Sequence, residues 1–398
     1  MFADNSLKQK EKQALSHNNT VFSQLLKLVP RHEFESMSHD HHYGQKLRKM
    51  NRWSQFVALA TAQLAGRHSL RDVVVNLSAQ ARHLYHLGCR KVSRSSLARI
   101  NEQQPCTLYE ALFTKLYARC QGLSPQHRFR FKNKLYSLDA SLIDLSLKIF
   151  PWAHFAKGKA ALKLHVGLDH QGHLPAFAAI THGHVSDLAI ARSVAFPKGS
   201  IVTCDRGYLD YAWFKSLTEK GVYLVTRPKK DAVYRVMARR VVNKNQGITS
   251  DQTILFNGVK PQQMGMPLMR RIGYRDPETG KRYIFITNLF HLSARTIADI
   301  YKQRWQIELF FKWIKQNLKI KAFLGTSKNA VMTQIWIALC MMLLLAYIKF
   351  MAKLGQSLQQ ILRLLQLNLF MKRDLMALLR GDPPDTGKPT DTQQLVLL

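Results

Sequence analysis

YKQRWQIELFFKWIK, residues 301–315, is the stretch on which the reading of this chain turns. At ~100° per residue, Tyr301, Arg304, Glu308, Lys312, Lys315 and the following Lys319 share one narrow arc of a helix predicted from Asp299 to about Ile320. Trp305, Ile307, Leu309, Phe310, Phe311, Trp313, Ile314 and Leu318 take the other faces. Between Asp299 and Asp374, Glu308 is the only acidic residue among twelve Lys and Arg. On a surface helix it would simply pair with Arg304 and Lys312, at ~0.3–0.5 kcal/mol per pair. A helix apolar around most of its circumference is more readily buried, where a charged stripe is costly unless it lines a functional cleft. One carboxylate among cations suits a metal ion bound beside a polyphosphate.

One carboxylate cannot hold two hard cations, which need a small cluster of oxygen ligands. Asp139 follows LYSL and Asp205 follows IVTC, each closing an apolar strand, and both are candidate partners of Glu308. A turn or cap role is the alternative for either one alone. Asp169 closes VGLD but runs into DHQGH, a hairpin turn, and ranks lower; Asp144 reads as a loop acid and Asp187 as a helix start. The surrounding order, LYSLDAS, ALKLHVGLD, LPAFAAIT, SDLAIARSVAF, SIVTCDRG, DYAWFKSLTEKG and VYLVTRP, predicts β-β-β-α-β-α-β, a mixed sheet with helices on its faces. Residues 230–290 read as a β-rich insertion with a turn at Asp276–Gly280 and many arginines.

The 398 residues carry 59 Lys and Arg against 25 Asp and Glu, a net +34 spread along the whole chain. Such a surplus calls for a polyanion, and its distribution suits a long duplex path better than a basic tail does. The longest apolar run, Ile335 to Ile348, is shorter than the ~20 residues a bilayer core requires and reads as a buried helix. The polar amino terminus resembles no secretory signal, so no membrane is expected. Five cysteines without a C-x-x-C pair argue for reduced, buried thiols. His39, His41 and His42 lack the partners of a zinc site. No P-loop, dinucleotide, nucleophile-elbow or H-E-x-x-H motif occurs.

At the amino-terminal end, SQFVALATAQLAG stops at Gly66, Ser69 opens a second helical run to about Leu87, and Ser93 opens a third. Arg94 and Arg99 stand among the serines of that third helix. A helix-turn-helix-like DNA reader and an ordinary small helical bundle fit this pattern equally.

The spacing Tyr301, Arg304, Glu308, Lys315 resembles the signature of the DDE transposases of bacterial insertion sequences, specifically the insertion sequence 4 family. SLDASLIDLSLKIFPWAHF and SIVTCDRGYLDYAWF resemble its first and second acidic regions. The resemblance implies a ribonuclease H-like catalytic core over 131–229 and 291–350, interrupted by the insertion at 230–290. A helical DNA-binding domain over 1–130, a helical region over 351–380 and a disordered tail over 381–398 would complete the chain. It implies further that Asp139, Asp205 and Glu308 are catalytic and bind two Mg2+ ions, for which Mn2+ could substitute. Arg304 and Lys315, with Lys312 beside them, would hold DNA phosphates, and Tyr301 would meet backbone or a displaced base. The family's usual Thr is Ser141 here, and no role is assigned to it.

The implied activity is cleavage of transposon terminal inverted repeats and strand transfer to target DNA, by a homodimer on DNA in the bacterial cytosol, associated with the nucleoid. A catalytically silent DNA-binding protein and a nuclease without strand transfer are the other readings.

Overall fold

The computed structural model describes residues 19–48 and 50–383. The first residues of the chain and most of the Pro/Gly/Asp tail, on which the sequence set expectations, lie outside the described residues. Two compact units emerge.

The first contains the described residues up to Leu112, with 323–325 and those from Asn329 onward. It opens with α1 (Val21–Leu26), α2 (Arg31–Asp40), α3 (Arg52–Leu64), α4 (Leu70–Ala79) and α5 (Arg94–Gln103). Ser69 and Ser93 cap α4 and α5 by accepting from the amides of Asp72 and Ser96, satisfying donors that a helix start leaves free. The run begun at Ser69 stops at Ala79, well short of Leu87. Trp53 Nε1 donates to Leu87 O at 2.8 Å, holding that segment in turns. Phe34, Trp53, Phe56 and Tyr109 pack with ring centroids 5.1–6.4 Å apart. Helix α5 buries Leu97 and Ile100 and exposes Arg94 and Arg99.

The second unit, residues 113–322 and 326–328, begins within α6 (Thr107–Gln121). Its elements are β1 (Leu135–Leu145), β2 (His154–Ala156), β3 (Lys159–Asp169), β4 (Leu174–His182), α7 (Asp187–Ser193), β5 (Ile201–Cys204), α8 (Tyr211–Glu219) and β6 (Tyr223–Thr226). There follow β7 (Tyr234–Arg239), β8 (Ile248–Phe256), α9 (Val259–Gln263), β9 (Met269–Arg275), β10 (Arg282–Thr287), α10 (Ala294–Gln303) and α11 (Trp305–Asn317). One mixed sheet runs β2-β3-β1-β5-β6-β10-β9-β8-β7, with β4 on β3. Strands β1, β5 and β6 are parallel and the other pairings antiparallel.

Three features differ from expectation. Strand β1 does not end at Asp139 but pairs with β3 as far as Leu145↔Ala160, so Asp139 is mid-strand and Asp144 lies on an exposed stretch of strand. The inserted strands continue the central sheet, because β10 pairs with β6 at Ile286↔Thr226. The helix foreseen from Asp299 to Ile320 is two, α10 and α11, divided at Arg304. There the amides of Arg304 and Ile307 reach back three residues, to Tyr301 O and Arg304 O, a local tightening of the helical turn.

Alternation along the strands divides the core in two. Leu138, Val202, Cys204 and Leu224 face Trp213, Phe214 and Leu217 of α8. Leu135, Ile201 and Val225 face Ile297, Ala298 and Ile300 of α10.

The first unit resumes with α12 (Lys328–Met351), α13 (Leu358–Asn368) and α14 (Leu375–Arg380). By packing, the described residues from Asn329 onward fall in the first unit. Asn329 Nδ2 donates to Asn101 O and Gln104 O at 2.9 and 2.6 Å, and Cys106 N donates to Asn329 Oδ1. Helix α12 is long and apolar enough to cross a membrane, yet 89% of its most apolar window is buried inside the protein. An apolar helix with no polar face is what a core demands. All five cysteines are buried thiols outside any disulfide.

Candidate active site

Leu138 of β1 pairs in parallel with Cys204 of β5. Asp139 and Asp205 are each the next residue, at the same level on strands ~4.8 Å apart. Odd-numbered positions of both strands, Leu135 and Ile201 among them, face α10; Asp139 and Asp205 continue that parity. Asp205 caps a short helical turn, its Oδ1 accepting from Gly207 N at 2.8 Å. Thr226 Oγ1 donates to the carbonyls of Cys204 and Asp205 at 3.0 and 3.1 Å, tethering the end of β5.

Glu308, in the first turn of α11, is one-third exposed. Its Oε1 accepts from Arg304 Nη2 at 2.7 Å, and Arg304 Nη1 lies 3.9 Å from Asp139 Oδ2. The guanidinium sits over the Tyr301 ring at 5.8 Å, and its buried Nε has no partner. Burial pushes the Asp139 carboxyl up to about 6; the charges of Asp205 and Glu308 add to the rise, while the Ala140 amide and Arg304 oppose it. Burial likewise raises Tyr301, with Asp205 adding to the rise. The structure therefore brings Asp139, Asp205, Glu308, Arg304 and Tyr301 into one electrostatic neighbourhood.

Lys315 reaches the same strand farther along, donating to Ser141 Oγ at 2.7 Å and Leu142 O at 2.8 Å. Burial and Lys321 lower its pKa. Lys312 is exposed on α11, and Arg94 and Arg99 are exposed on α5 of the other unit. Asp169, ranked lower from sequence, is buried and bonded to Tyr117 OH and Gln171 N. Beside Arg304 a cavity of about 260 Å³ is lined by Arg227, Tyr274, Tyr283, Phe285, Tyr301 and Trp305. The sequence reading missed its wall from the insertion; the alternation in KRYIFIT, which puts Tyr283 and Phe285 on one face, was its only trace.

Among the described residues no three His, Cys, Asp or Glu side chains are gathered closely enough to grip a metal ion. Carboxylate oxygens are the donors a hard divalent cation takes; Asp139 feels the charges of Asp205 and Glu308, and the Arg304 guanidinium lies against Asp139 and Glu308.

Aspartates at one level on two parallel strands, Asp139 within β1 and Asp205 just past β5, beside a helix with a glutamate among cations, are an arrangement of the phosphoryl-transfer class. The family described as Transposase DDE domain matches residues 132–345, and one described as Domain of unknown function (DUF4372) matches 17–90. A "Putative transposase y4zB" of Sinorhizobium fredii is 32% identical over 294 residues, 72% of this chain and 80% of that protein. A "Probable transposase for insertion sequence element IS5377" of Geobacillus stearothermophilus is 27% identical over 66% of this chain and 68% of its own length. This chain belongs to the DDE transposases, enzymes that cut and join DNA and generally use divalent metal ions. Its mixed sheet with flanking helices is the ribonuclease H-like core of that family. A solved "piggyBac transposase synaptic complex with hairpin DNA" superposes at a TM-score of 0.41 with 10% identity, over 95% of this chain and 82% of that one.

Proposed function

We propose that Asp139, Asp205 and Glu308 are the catalytic carboxylates with which this transposase cuts the terminal inverted repeats of its element and joins them to target DNA. One observation carries the reading: the Leu138↔Cys204 register seats two aspartates side by side, and the charge of Glu308 is felt at one of them. Together they would hold two Mg2+ ions, Mn2+ serving in their place. When bound, such ions lower the pKa of an attacking water or 3′-hydroxyl and offset charge on the leaving oxygen.

The chain's own groups orient the DNA. Arg304, Lys312 and Lys315 would take phosphates flanking the cut, as cationic donors do. Tyr301 and the neighbouring aromatic cavity offer flat apolar walls to backbone or a displaced base. The exposed Arg94 and Arg99 on α5 suit the duplex of the repeat, with residues 1–130 as its reader. An element with two ends needs two active sites, which favours a homodimer on DNA. A net +34 suits a protein residing on the cytosolic nucleoid.

The test incubates purified protein and Mg2+ with a donor plasmid bearing the cognate ends. Wild type is expected to release and join the ends, and Asp205→Ala to bind the ends unchanged without cutting them. Binding without any wild-type cleavage would make the protein a silent DNA-binding module. Cleavage without joined products would make it a nuclease.

A further inference from the structure

Ser141 lies two residues beyond Asp139 on β1, so both side chains leave the strand on one face. Lys315 lies seven residues beyond Glu308, two turns along the same side of α11. Two residues of strand span ~7 Å and seven of helix ~10 Å, a difference within reach of the long Lys315 side chain. Where Arg304 ties Glu308 to the neighbourhood of Asp139, Lys315 Nζ donates to Ser141 Oγ at 2.7 Å and to Leu142 O at 2.8 Å. The helical stretch from Arg304 to Lys315 is thus tied to β1 at two points ~16 Å apart along it, by the Arg304–Asp139 ion pair and by the Lys315 hydrogen bonds. One fastening leaves a helix free to pivot over the strand; two fix its register. Ser141 is half-buried, and the two acceptors that hold Lys315 Nζ, a hydroxyl and a carbonyl, are uncharged.

We infer that Ser141 is a positioning residue of the cleavage site: its hydroxyl seats Lys315 and thereby sets where Glu308 stands relative to Asp139. The inference rests on the function proposed above. Ser141 itself touches no reacting group. Its requirement is an oxygen acceptor at Cβ, which Thr keeps and Ala removes.

The experiment uses the full chain as Ser141→Ala, Ser141→Thr, Lys315→Met and the Ser141→Ala/Lys315→Met double variant. Acetic anhydride labelling of Lys315, read by mass spectrometry without DNA or metal, is expected to be about fivefold faster in Ser141→Ala, since one hydrogen bond to the amine is lost. With Mg2+ and saturating donor DNA, Ser141→Ala is expected to cut about tenfold more slowly, the scale set by a small misplacement of catalytic groups. Its affinity for the ends stays unchanged. Ser141→Thr restores both readouts. In the Lys315→Met background the Ser141→Ala change should cost less than about twofold, because the two residues act as one unit.

Unchanged labelling in Ser141→Ala overturns the inference. So does cleavage at the wild-type rate, a Thr variant as slow as the Ala variant, or full additivity with Lys315→Met. A wild-type chain that cuts nothing overturns the reading of the site and the positioning role with it, while labelling still decides whether Ser141 seats Lys315.

Discussion

Arg304 Nη2 donates to Glu308 Oε1 across 2.7 Å, and the other terminal nitrogen of the same guanidinium stands 3.9 Å from Asp139 Oδ2. One cation therefore serves two of the three acids, with its side chain only 16% exposed. Removing it in Arg304→Met leaves like charges facing each other in a half-buried setting, expected to cost about 1–3 kcal/mol of stability near pH 7.5. Divalent ions at millimolar concentration should restore more stability to Arg304→Met than they add to wild type, because they no longer compete with the guanidinium. Thermal melts with and without Mg2+ measure the difference. Equal gains in the two proteins would show that Arg304 does not stand in for a bound ion.

Asp139 adds a pH dependence whose sign follows from its raised pKa. Burial lifts its carboxyl from 3.8 to about 6, so folding favours the protonated form. The stability this gives is present in full below pH ~4 and lost as pH rises through about 6. Asp139→Asn removes the cost of holding the charge and should be more stable than wild type above pH 7, by about 2 kcal/mol. The gap should close near pH 3.5. Urea unfolding across that range tests it, and a gap that does not change with pH would sink it. Cleavage moves the opposite way: it needs the ionised carboxylate and should fall as pH drops below 6.

Glu308 and Asp205 were legible in the sequence for different reasons. Glu308 is the one acid in a long basic stretch, and Asp205 follows the short, mostly apolar strand IVTC. What brings them to Asp139 was not legible, since it depends on pairing Leu138 with Cys204, and pairing register is not a local property. The division at Arg304 also left no mark: neither Gly nor Pro stands in YKQRW, and Arg304 keeps helical dihedrals, so only its hydrogen bonds show the break. Strand β1 outruns Asp139 because β3 offers partners as far as Ala160. The uniform apolarity of α12 announced burial but not which helices it would join.

Arg94 and Arg99 project from α5 into solvent, so replacing them should leave the fold intact and act on DNA alone. Each phosphate contact removed should lower the slope of log affinity against log salt by ~0.9, or about 1.8 for Arg94→Ala/Arg99→Ala. Affinity for a terminal-repeat duplex should fall about tenfold at moderate salt, with Mg2+-dependent cutting unchanged at saturating protein. Fluorescence anisotropy over a salt series gives both numbers. An unaltered slope would remove these two arginines from the DNA interface.

Asp251 and Arg270 make a deeply buried ion pair, with side chains 6% and 3% exposed. Arg270 Nε and Nη2 donate to the two carboxylate oxygens at 2.9 and 2.7 Å, while Nη1 donates to Leu289 O and Leu292 O at 3.2 and 2.6 Å. Strands β8 and β9 of the insertion are thereby tied to the turn that leads through Ser293 into α10, the helix bearing Tyr301. Asp251→Asn leaves the guanidinium charged, buried and half-partnered, a change expected to cost ~3–5 kcal/mol. Replacing both residues, as Asp251→Leu/Arg270→Met, removes the stranded charge and should cost less than the single substitution, though it gives up the bonds to Leu289 and Leu292. Unfolding in urea ranks the three proteins. If the double variant proved the least stable, the pair would be contributing net attraction beyond the desolvation it incurs, and the bonds from Arg270 to the turn before α10 would be the first place to look for it.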